Sequence, residues 1–268
     1  MEQRKVFLIL IDISGYTRFT RLHRLSAMHA EQIITDLLES IIRRASLPLV
    51  VHEILGDSVN FYAFADEGRQ TALEVRRQVD TIFDAFRLRE GELISDCALC
   101  VCQACQNVGK LSLKAVLHRG QAIFNTIAGF RKVSGEDVIL AHRLLKNSVP
   151  EKEYVLETEA FHQLAGQSPG IRHEERTEQY EDVGSVKVHV FYPAERSGPA
   201  KAAKRSLLAK LRMSWRNDAY AIKRLFQRAP RAFSNLGVAA PPAPSETALF
   251  ATRTHLSVNT KPDHPVQP

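Results

Sequence analysis

The sequence has no long hydrophobic run, no internal repeat and few cysteines. The apolar stretch near its start covers only residues 6–11 before Asp12, which is too short for a membrane span or for the core of a signal peptide. We therefore expect a cytoplasmic protein. In that compartment the four cysteines are not expected to form structural disulfides.

Negative charge is scarce in the last quarter of the chain. From residue 196 onward, thirteen Lys and Arg face three Asp and Glu, whereas residues 1–195 contain 23 basic and 27 acidic side chains. The net charge of +6 therefore belongs to the tail, and it does not predict that the larger part of the chain binds nucleic acid. With 44% apolar residues, the chain can form a globular core.

The basic tail divides into two segments. Residues 196–229 combine a linker with a basic amphipathic helix, whose apolar stripe includes Trp215 and Phe226. Residues 230–268 are rich in Pro and Ala and are predicted to be disordered. The helix could lie on an anionic membrane, which would place the protein peripherally at that membrane, or it could pack on the main domain or a partner helix. Nucleic-acid binding ranks third, because no base-reading motif accompanies the charge.

Residues 1–195 alternate between strand and helix patterns. The predicted strands are 5–12, 49–54, 59–64, 111–118 and 121–128, with further strands in EYVLET and VGSVKVHVFYP. Apolar spacing predicts helices around 33–42, over 68–89, in EDVILAHRLLKN and in EAFHQL. Gly120 separates the fourth and fifth strands, and glycine in a strand pattern often marks the close approach of another group. This order predicts an α+β domain with one mostly antiparallel sheet and flanking helices.

Two carboxylates stand out because of where they lie. Asp12 ends a run of buried-strand residues, and Asp57 lies at the turn of a predicted hairpin. If the first strand lies beside that hairpin, both side chains project from one end of the sheet and could share divalent metals, as in phosphoryl-transfer sites. The alternative is that Asp12 caps the following helix and that Asp57 is a common turn residue. The residues alone leave both interpretations open.

The cysteines form a second candidate site. Cys97, Cys100, Cys102 and Cys105 lie within the stretch CALCVCQACQ. Overlapping pairs with CxxC spacing suit Zn²⁺ bound by four thiolates, although structural zinc sites usually take two pairs from separate turns. A cluster of reduced thiols and a redox role are the alternatives.

Four segments resemble the catalytic domain of class III nucleotide cyclases, in the same order and near the same spacing. They are FLILIDISGYTRFT, EILGDSVNFYAF, LKAVLHRGQA and VSGEDVILAHRLL. In that family they correspond to a strand ending in Asp, a Gly-Asp hairpin, a strand ending in His-x-Gly, and a helix carrying Ala and Arg. More closely, DISGYT, the cysteine-rich insert and HRLLKN are similar to an uncharacterised bacterial branch of the superfamily. The resemblance covers residues 4–193 and implies a ferredoxin-like core and a dimer with sites between two protomers.

The resemblance also implies roles for individual residues. Asp12 and Asp57 correspond to the aspartates that bind Mg²⁺ or Mn²⁺, with the carbonyl of Ile13 as a further ligand. Arg143 corresponds to the arginine that stabilises transition-state charge on the phosphates. A helix N-terminus that favours anions would face the triphosphate. The phosphate-binding turn before that helix consists of Ser14, Gly15, Tyr16 and Thr17.

Three departures from the family bear on activity. Ile139 stands at the position of the transition-state asparagine, and the two purine-selecting positions fall on or near Val51 and Lys132. A site that has lost its base-reading groups cannot select the base in the same way. The expected function is therefore a metal and nucleoside-triphosphate site at the interface of a homodimer, or of a heterodimer with another cyclase-like chain, with nucleotide cyclisation in signalling as its activity. The alternative is a catalytically silent module that binds a nucleotide or only dimerises.

Overall fold

The computed structural model describes residues 1–22, 27–97, 100 and 102–193. Within these residues, eight strands form one sheet flanked by helices. The linker, basic helix and tail expected over residues 196–268 lie outside the described part of the chain.

The described elements alternate along the chain much as the sequence patterns predict. The strands are β1 (Glu2–Ser14), β2 (Val50–Leu55), β3 (Ser58–Phe64), β4 (Ser112–Ile127), β5 (Phe130–Ser134), β6 (Tyr154–Thr158), β7 (Arg172–Tyr180) and β8 (Gly184–Tyr192). The helices are α1 (Tyr16–Leu22), α2 (Ala27–Arg44), α3 (Arg69–Asp96), α4 (Gln103–Gln106), α5 (Glu136–Leu144) and α6 (Glu159–Ala165). A 3-10 turn, Val108–Lys110, connects α4 to β4.

β1 lies inside the sheet, where it is hydrogen-bonded on one side to β3 and on the other to β4. The strand order is β2-β3-β1-β4-β6-β8-β7, with β5 paired to β4 off this path. Among the described strands, β4 and β6 run parallel and the other neighbours are antiparallel. The predicted α+β arrangement with a mostly antiparallel sheet is confirmed.

Each face of the sheet carries its own hydrophobic core. Phe7, Ile9 and Ile11 are buried on the side covered by α2 and α3, whereas Leu8 and Leu10 are buried on the side where α5 packs. Because successive side chains of a strand point to opposite faces, a strand buried on both faces has a continuous apolar sequence. Each fully buried side chain of this kind contributes about 1.5–3 kcal/mol to folding.

The structure corrects the sequence interpretation in two places. Residues 111–128 were predicted to form two strands, but residues 112–127 form one strand, β4, that continues through Gly120. Its hairpin partner is β5, a short and mostly exposed strand with no alternating pattern. The edge strand β7 was also missed, because its sequence RHEERTEQY is dominated by charged and polar residues.

Gly120 nevertheless marks a close approach, as its position in a strand pattern suggests. A Cβ built on this residue would overlap the side chain of Asp137 in the first turn of α5. That carboxylate accepts a hydrogen bond from the backbone N–H of Gln121 at 2.6 Å and lies 3.0 Å from Nε2 of His118. The contact with His118 holds the pKa of Asp137 below its usual range. Asp137 therefore anchors α5 to β4.

Within the described residues, no helix is both long and apolar enough to cross a membrane.

Gly120→Ala tests whether Asp137 anchors α5 to β4. We expect the added methyl group to displace Asp137 and to lower the free energy of unfolding by about 1–3 kcal/mol, measured by urea denaturation. Gly109→Ala is the matched control, because its Cβ would lie 3.4 Å from the Ile94 side chain, an ordinary contact. Equal unfolding midpoints for the two variants would contradict the close approach.

Candidate functional site

The structure brings Asp12 and Asp57 together at one end of the sheet. Asp12 is near the end of β1, where it pairs in register with Ser58 of β3. The backbone N–H of Ile13 donates a hydrogen bond to the carbonyl of Asp57, with an N···O distance of 3.2 Å. The end of the buried strand is thereby bonded directly to the hairpin turn that carries the second carboxylate.

The hairpin turn has the geometry that its two central residues, Gly56 and Asp57, favour. Leu55 and Ser58 pair across it, and Gly56 has a φ of +61°. Glycine at the first central position with positive φ is typical of the type II′ turn, whose twist matches that of paired strands. Oγ of Ser58 donates to the carbonyl of Leu55 at 3.0 Å, so the turn that presents Asp57 is closed by side chain as well as backbone.

The two carboxylates repel each other in the folded protein. Burial raises the pKa of Asp57 from 3.8 to about 6, and the charge of Asp12 contributes to the same shift. Nζ of Lys114, on the neighbouring strand β4, lies 3.1 Å from Oδ2 of Asp12 and donates to the carbonyl of Leu145 at 2.9 Å. One cation thus partly neutralises the pair, and the sequence analysis did not identify it.

The turn after β1 lies beside these carboxylates. Gly15 has a φ of +93°, and a Cβ there would lie 3.2 Å from the carbonyl oxygen of Lys110, so a larger residue is disfavoured on both counts. The carbonyl of Gly15 accepts from the N–H of Phe19 at 2.9 Å, which begins α1. Burial and the charges of Glu31 and Asp57 raise the pKa of Tyr16. Ser14 and Thr17 flank this turn, so the four predicted phosphate-binding residues form one segment next to Asp57.

Arg143 lies elsewhere within the same protomer. It belongs to the last turn of α5, and its Nη2 lies 2.6 Å from Oδ2 of Asp182, with both side chains half exposed. In the described residues its ion pair is therefore with Asp182 and not with the two site carboxylates. A role at those carboxylates requires a second copy of the chain to supply the arginine.

The three positions that depart from the cyclase pattern have different environments. Val51 is only 3% exposed, in the core beneath the helices. Lys132 is exposed on β5, and Ile139 is 55% exposed on α5. A polar pair lies near Val51: Nδ2 of the buried Asn60 donates to Glu53 at 3.3 Å.

The cysteine cluster includes a residue that the sequence analysis missed. His29, in the first part of α2, places Nδ1 3.3 Å from Sγ of Cys102, 3.8 Å from Sγ of Cys100 and 4.0 Å from Sγ of Cys105. The ligand atoms of these four residues all lie within 4.8 Å of one another. His29 and Cys102 are 73 residues apart in sequence, so no spacing rule pointed to it.

Two sequence comparisons match proteins without an assigned activity. A family model described as "Protein of unknown function (DUF2652)" matches residues 34–154. The uncharacterised protein Rv2561/Rv2562 of Mycobacterium tuberculosis is 29% identical over 217 residues, which covers 80% of this chain and 99% of that protein. The similarity therefore extends over nearly the whole length of the mycobacterial protein.

Solved structures with a similar fold include nucleotide cyclases. The adenylyl cyclase CyaB of Pseudomonas aeruginosa has a TM-score of 0.58 with 14% identity, and the match covers 73% of this chain and 97% of that one. For the guanylyl cyclase Cya2 the TM-score is 0.53 with 16% identity, and coverage is 77% and 98%. A class III adenylyl cyclase-like ATP-binding protein from Pseudomonas aeruginosa has a TM-score of 0.50 with 15% identity, and coverage is 62% and 35%. The chain has the class III cyclase-homology fold that the four sequence segments predicted.

The raised pKa of Asp57 predicts that this carboxylate makes the free energy of unfolding depend on pH. The folded protein keeps a proton up to a pH of about 6 that the unfolded chain loses near its ordinary pKa of 3.8, so this group makes stability fall as pH rises between these values. We therefore expect Asp57→Asn to raise the free energy of unfolding at pH 7.5 by about 1 kcal/mol and to change it little at pH 4.

The measurement is urea denaturation of both proteins at each pH with a chelator present. Asp66→Asn is the control, since Asp66 is an exposed carboxylate that pairs with Arg4 at 3.1 Å and should contribute little. An Asp57→Asn variant that is less stable than the parent at pH 7.5 would refute the electrostatic cost.

Proposed function

We propose that the protein binds a nucleoside triphosphate together with Mg²⁺ or Mn²⁺ at the Asp12 and Asp57 end of the sheet, and that it acts as a nucleotide cyclase-like enzyme in signalling. The observation that carries this proposal is the placement of two carboxylates at one strand end, where burial, together with the charge of Asp12, raises the pKa of Asp57 to about 6. A half-buried carboxylate with a raised pKa beside a second carboxylate is typical of a functional site. The shared fold with CyaB and Cya2 supports the nucleotide as ligand.

The donor set at this end of the sheet fits a hard divalent cation. The carboxylates of Asp12 and Asp57, with the carbonyl of Ile13 as a third oxygen, are the ligands that Mg²⁺ and Mn²⁺ prefer. A cation between the carboxylates would remove the repulsion that Lys114 only partly offsets. When bound, such ions would activate a ribose hydroxyl and stabilise a leaving pyrophosphate.

The residues of the chain itself would orient the phosphates. The turn from Ser14 to Thr17 lies next to Asp57, where its backbone can approach a ligand closely because Gly15 has no side chain. Arg143 of a second copy would neutralise charge on the phosphates, and for this it must leave its ion pair with Asp182. That pair is half exposed and therefore weak, so the exchange costs little.

A catalytically silent module is the second candidate function. Ile139 offers no hydrogen bond where the cyclase family has an asparagine, and the buried Val51 cannot contact a base. A similar fold occurs in a class III adenylyl cyclase-like protein that is described as ATP-binding and not as a cyclase. A heterodimer with another cyclase-like chain would supply the missing groups and restore turnover.

Exposed apolar side chains on α5 and the β4–β5 hairpin support dimerisation through this side of the molecule. Phe130 is 72% exposed and Ile127 is 53% exposed, both next to the hairpin turn. Ile139 is exposed on α5, which packs on the same strand. Such residues together are typical of a protein interface.

The decisive experiment incubates the purified protein with ATP or GTP and Mn²⁺ or Mg²⁺ and measures cyclic nucleotide by mass spectrometry. We expect product that Asp57→Asn lowers by more than about 100-fold, because a direct ligand should cost at least as much as an outer-shell partner. Asp57→Asn is preferred to larger changes because we expect it to fold at least as stably as the parent. Asp66→Asn should retain full activity.

The two candidate functions give different results in a parallel calorimetric titration. Metal-dependent nucleotide binding that Asp57→Asn weakens, without product, would select the silent module. If neither product nor metal-dependent binding is observed, the site proposal is wrong.

Dimerisation is tested by light scattering after size exclusion. We expect a mass of two chains for the parent and of one chain for Phe130→Asp, because a charge would replace the exposed ring at the proposed interface. Leu88→Asp is the control, since Leu88 is 57% exposed on α3. If Phe130→Asp forms dimers with the same dissociation constant as the parent, the hairpin is not the interface.

A further inference from the structure

We propose that His29, Cys100, Cys102 and Cys105 form a tetrahedral Zn²⁺ site that ties the start of α2 to the segment after α3. This site is separate from the nucleotide site and does not depend on it. The proposal replaces Cys97 by a histidine from a distant part of the chain, so that the ligands come from two separate elements.

The spacing of the four ligand atoms is close to that of a zinc tetrahedron. With Zn–S bonds of about 2.3 Å and Zn–N bonds of about 2.0–2.1 Å, the edges between ligand atoms are about 3.5–3.8 Å. The distances from Nδ1 of His29 to the three sulfur atoms are 3.3, 3.8 and 4.0 Å. A shift of a few tenths of an ångström would therefore bring these three distances to the edges of the tetrahedron, and all pairs of ligand atoms already lie within 4.8 Å.

The surroundings of the sulfur atoms also suit bound thiolates. The backbone N–H of Cys105 donates to Sγ of Cys102 at 3.4 Å, a contact that stabilises negative charge on sulfur. Zn²⁺ binds the deprotonated thiolate, so a cation at this position would favour ionisation of these close thiols.

Cys97 occupies a different position from the other three cysteines. It follows the last residue of α3, where its N–H donates to the carbonyl of Leu93, and it lies outside the group whose ligand atoms are all close together. Its sulfur interacts with that of Cys105 and is therefore close to the cluster. This places Cys97 as an outer partner of a zinc-bound sulfur rather than as a ligand.

The site would stabilise the segment that supports the turn after β1. Cys102 and Cys105 flank Ala104, which is fully buried in the core, and the chain continues through the 3-10 turn to Lys110. The carbonyl of Lys110 is the group against which Gly15 packs. Zinc would thus fix α2, α4 and the segment at Lys110, which packs against this turn, relative to one another.

The test measures zinc in the full-length protein purified under reducing conditions without added metal. We expect about one Zn²⁺ per chain at this site, and we expect Cys102→Ser to lose it. His29→Ala should weaken zinc binding by more than about 100-fold in competition with a chromogenic chelator, since it removes a direct ligand. Cys97→Ser should bind zinc within a few-fold of the parent's affinity.

A control separates this site from a second group of close ligand atoms, His173, Glu175 and His189. His173→Ala should not change the amount of zinc bound at the cysteine cluster. That amount is the difference in zinc content between proteins with and without the Cys102→Ser substitution. Substitution by Co²⁺ gives an independent readout, because the thiolate-to-metal absorption should fall in Cys105→Ser and persist in Cys97→Ser. Circular dichroism confirms that each variant is folded.

Three outcomes would overturn the proposal. The first is parent protein with reduced thiols and no zinc, and the second is a disulfide within the cluster. The third is a requirement for Cys97 with none for His29, which would assign the ion to the four cysteines.

Discussion

The hydrogen bonding of β1 along both of its edges is the constraint on which the candidate nucleotide site depends. This strand pairs with β3 on one side and β4 on the other, and it is buried on both faces. Its pairing with both neighbours is continuous from Val6 to Asp12, so its register is fixed on both sides. Asp12, the β2–β3 turn and Lys114 are consequently held in fixed relation at one end of the sheet. The carboxylates meet because the strands that carry them cannot slide.

This rigid frame holds an electrostatic arrangement that is unfavourable when no ligand is present. Two carboxylates share the strand end, and the ammonium group of Lys114 faces one of them. Proteins commonly accept such local costs at sites that bind charged ligands, because the ligand and not the fold provides the missing charge. The backbone geometry of the turn at Gly56 and Asp57 is, by contrast, relaxed. The cost is therefore electrostatic, and binding of the proposed cation would offset it without rearranging the backbone.

Much of the fold could be predicted from the sequence, because the strongest patterns report burial. The apolar run of β1, the Gly-Asp hairpin and the helix spacing in α2 each correspond to observed elements. The prediction failed where burial left no pattern, as in the exposed β5 and the charged edge strand β7. The residues that contact the site residues were harder to predict than the strands and helices. Lys114 faces Asp12 only through the β1–β4 register, and His29 approaches the cysteines only through the packing of α2 against α4. Neither relation is encoded at a fixed spacing along the chain.

The central place of β1 also affects how the protein reaches its folded state. Leu8 pairs with Tyr62 and His118, so the most apolar strand lies far ahead of both partners along the chain. During synthesis it would leave the ribosome well before β4, and contacts between distant segments form slowly. Until then, an apolar strand with two free edges is open to pairing with other chains. The yield of folded domain should therefore depend on how fast β3 and β4 become available to pair with this strand.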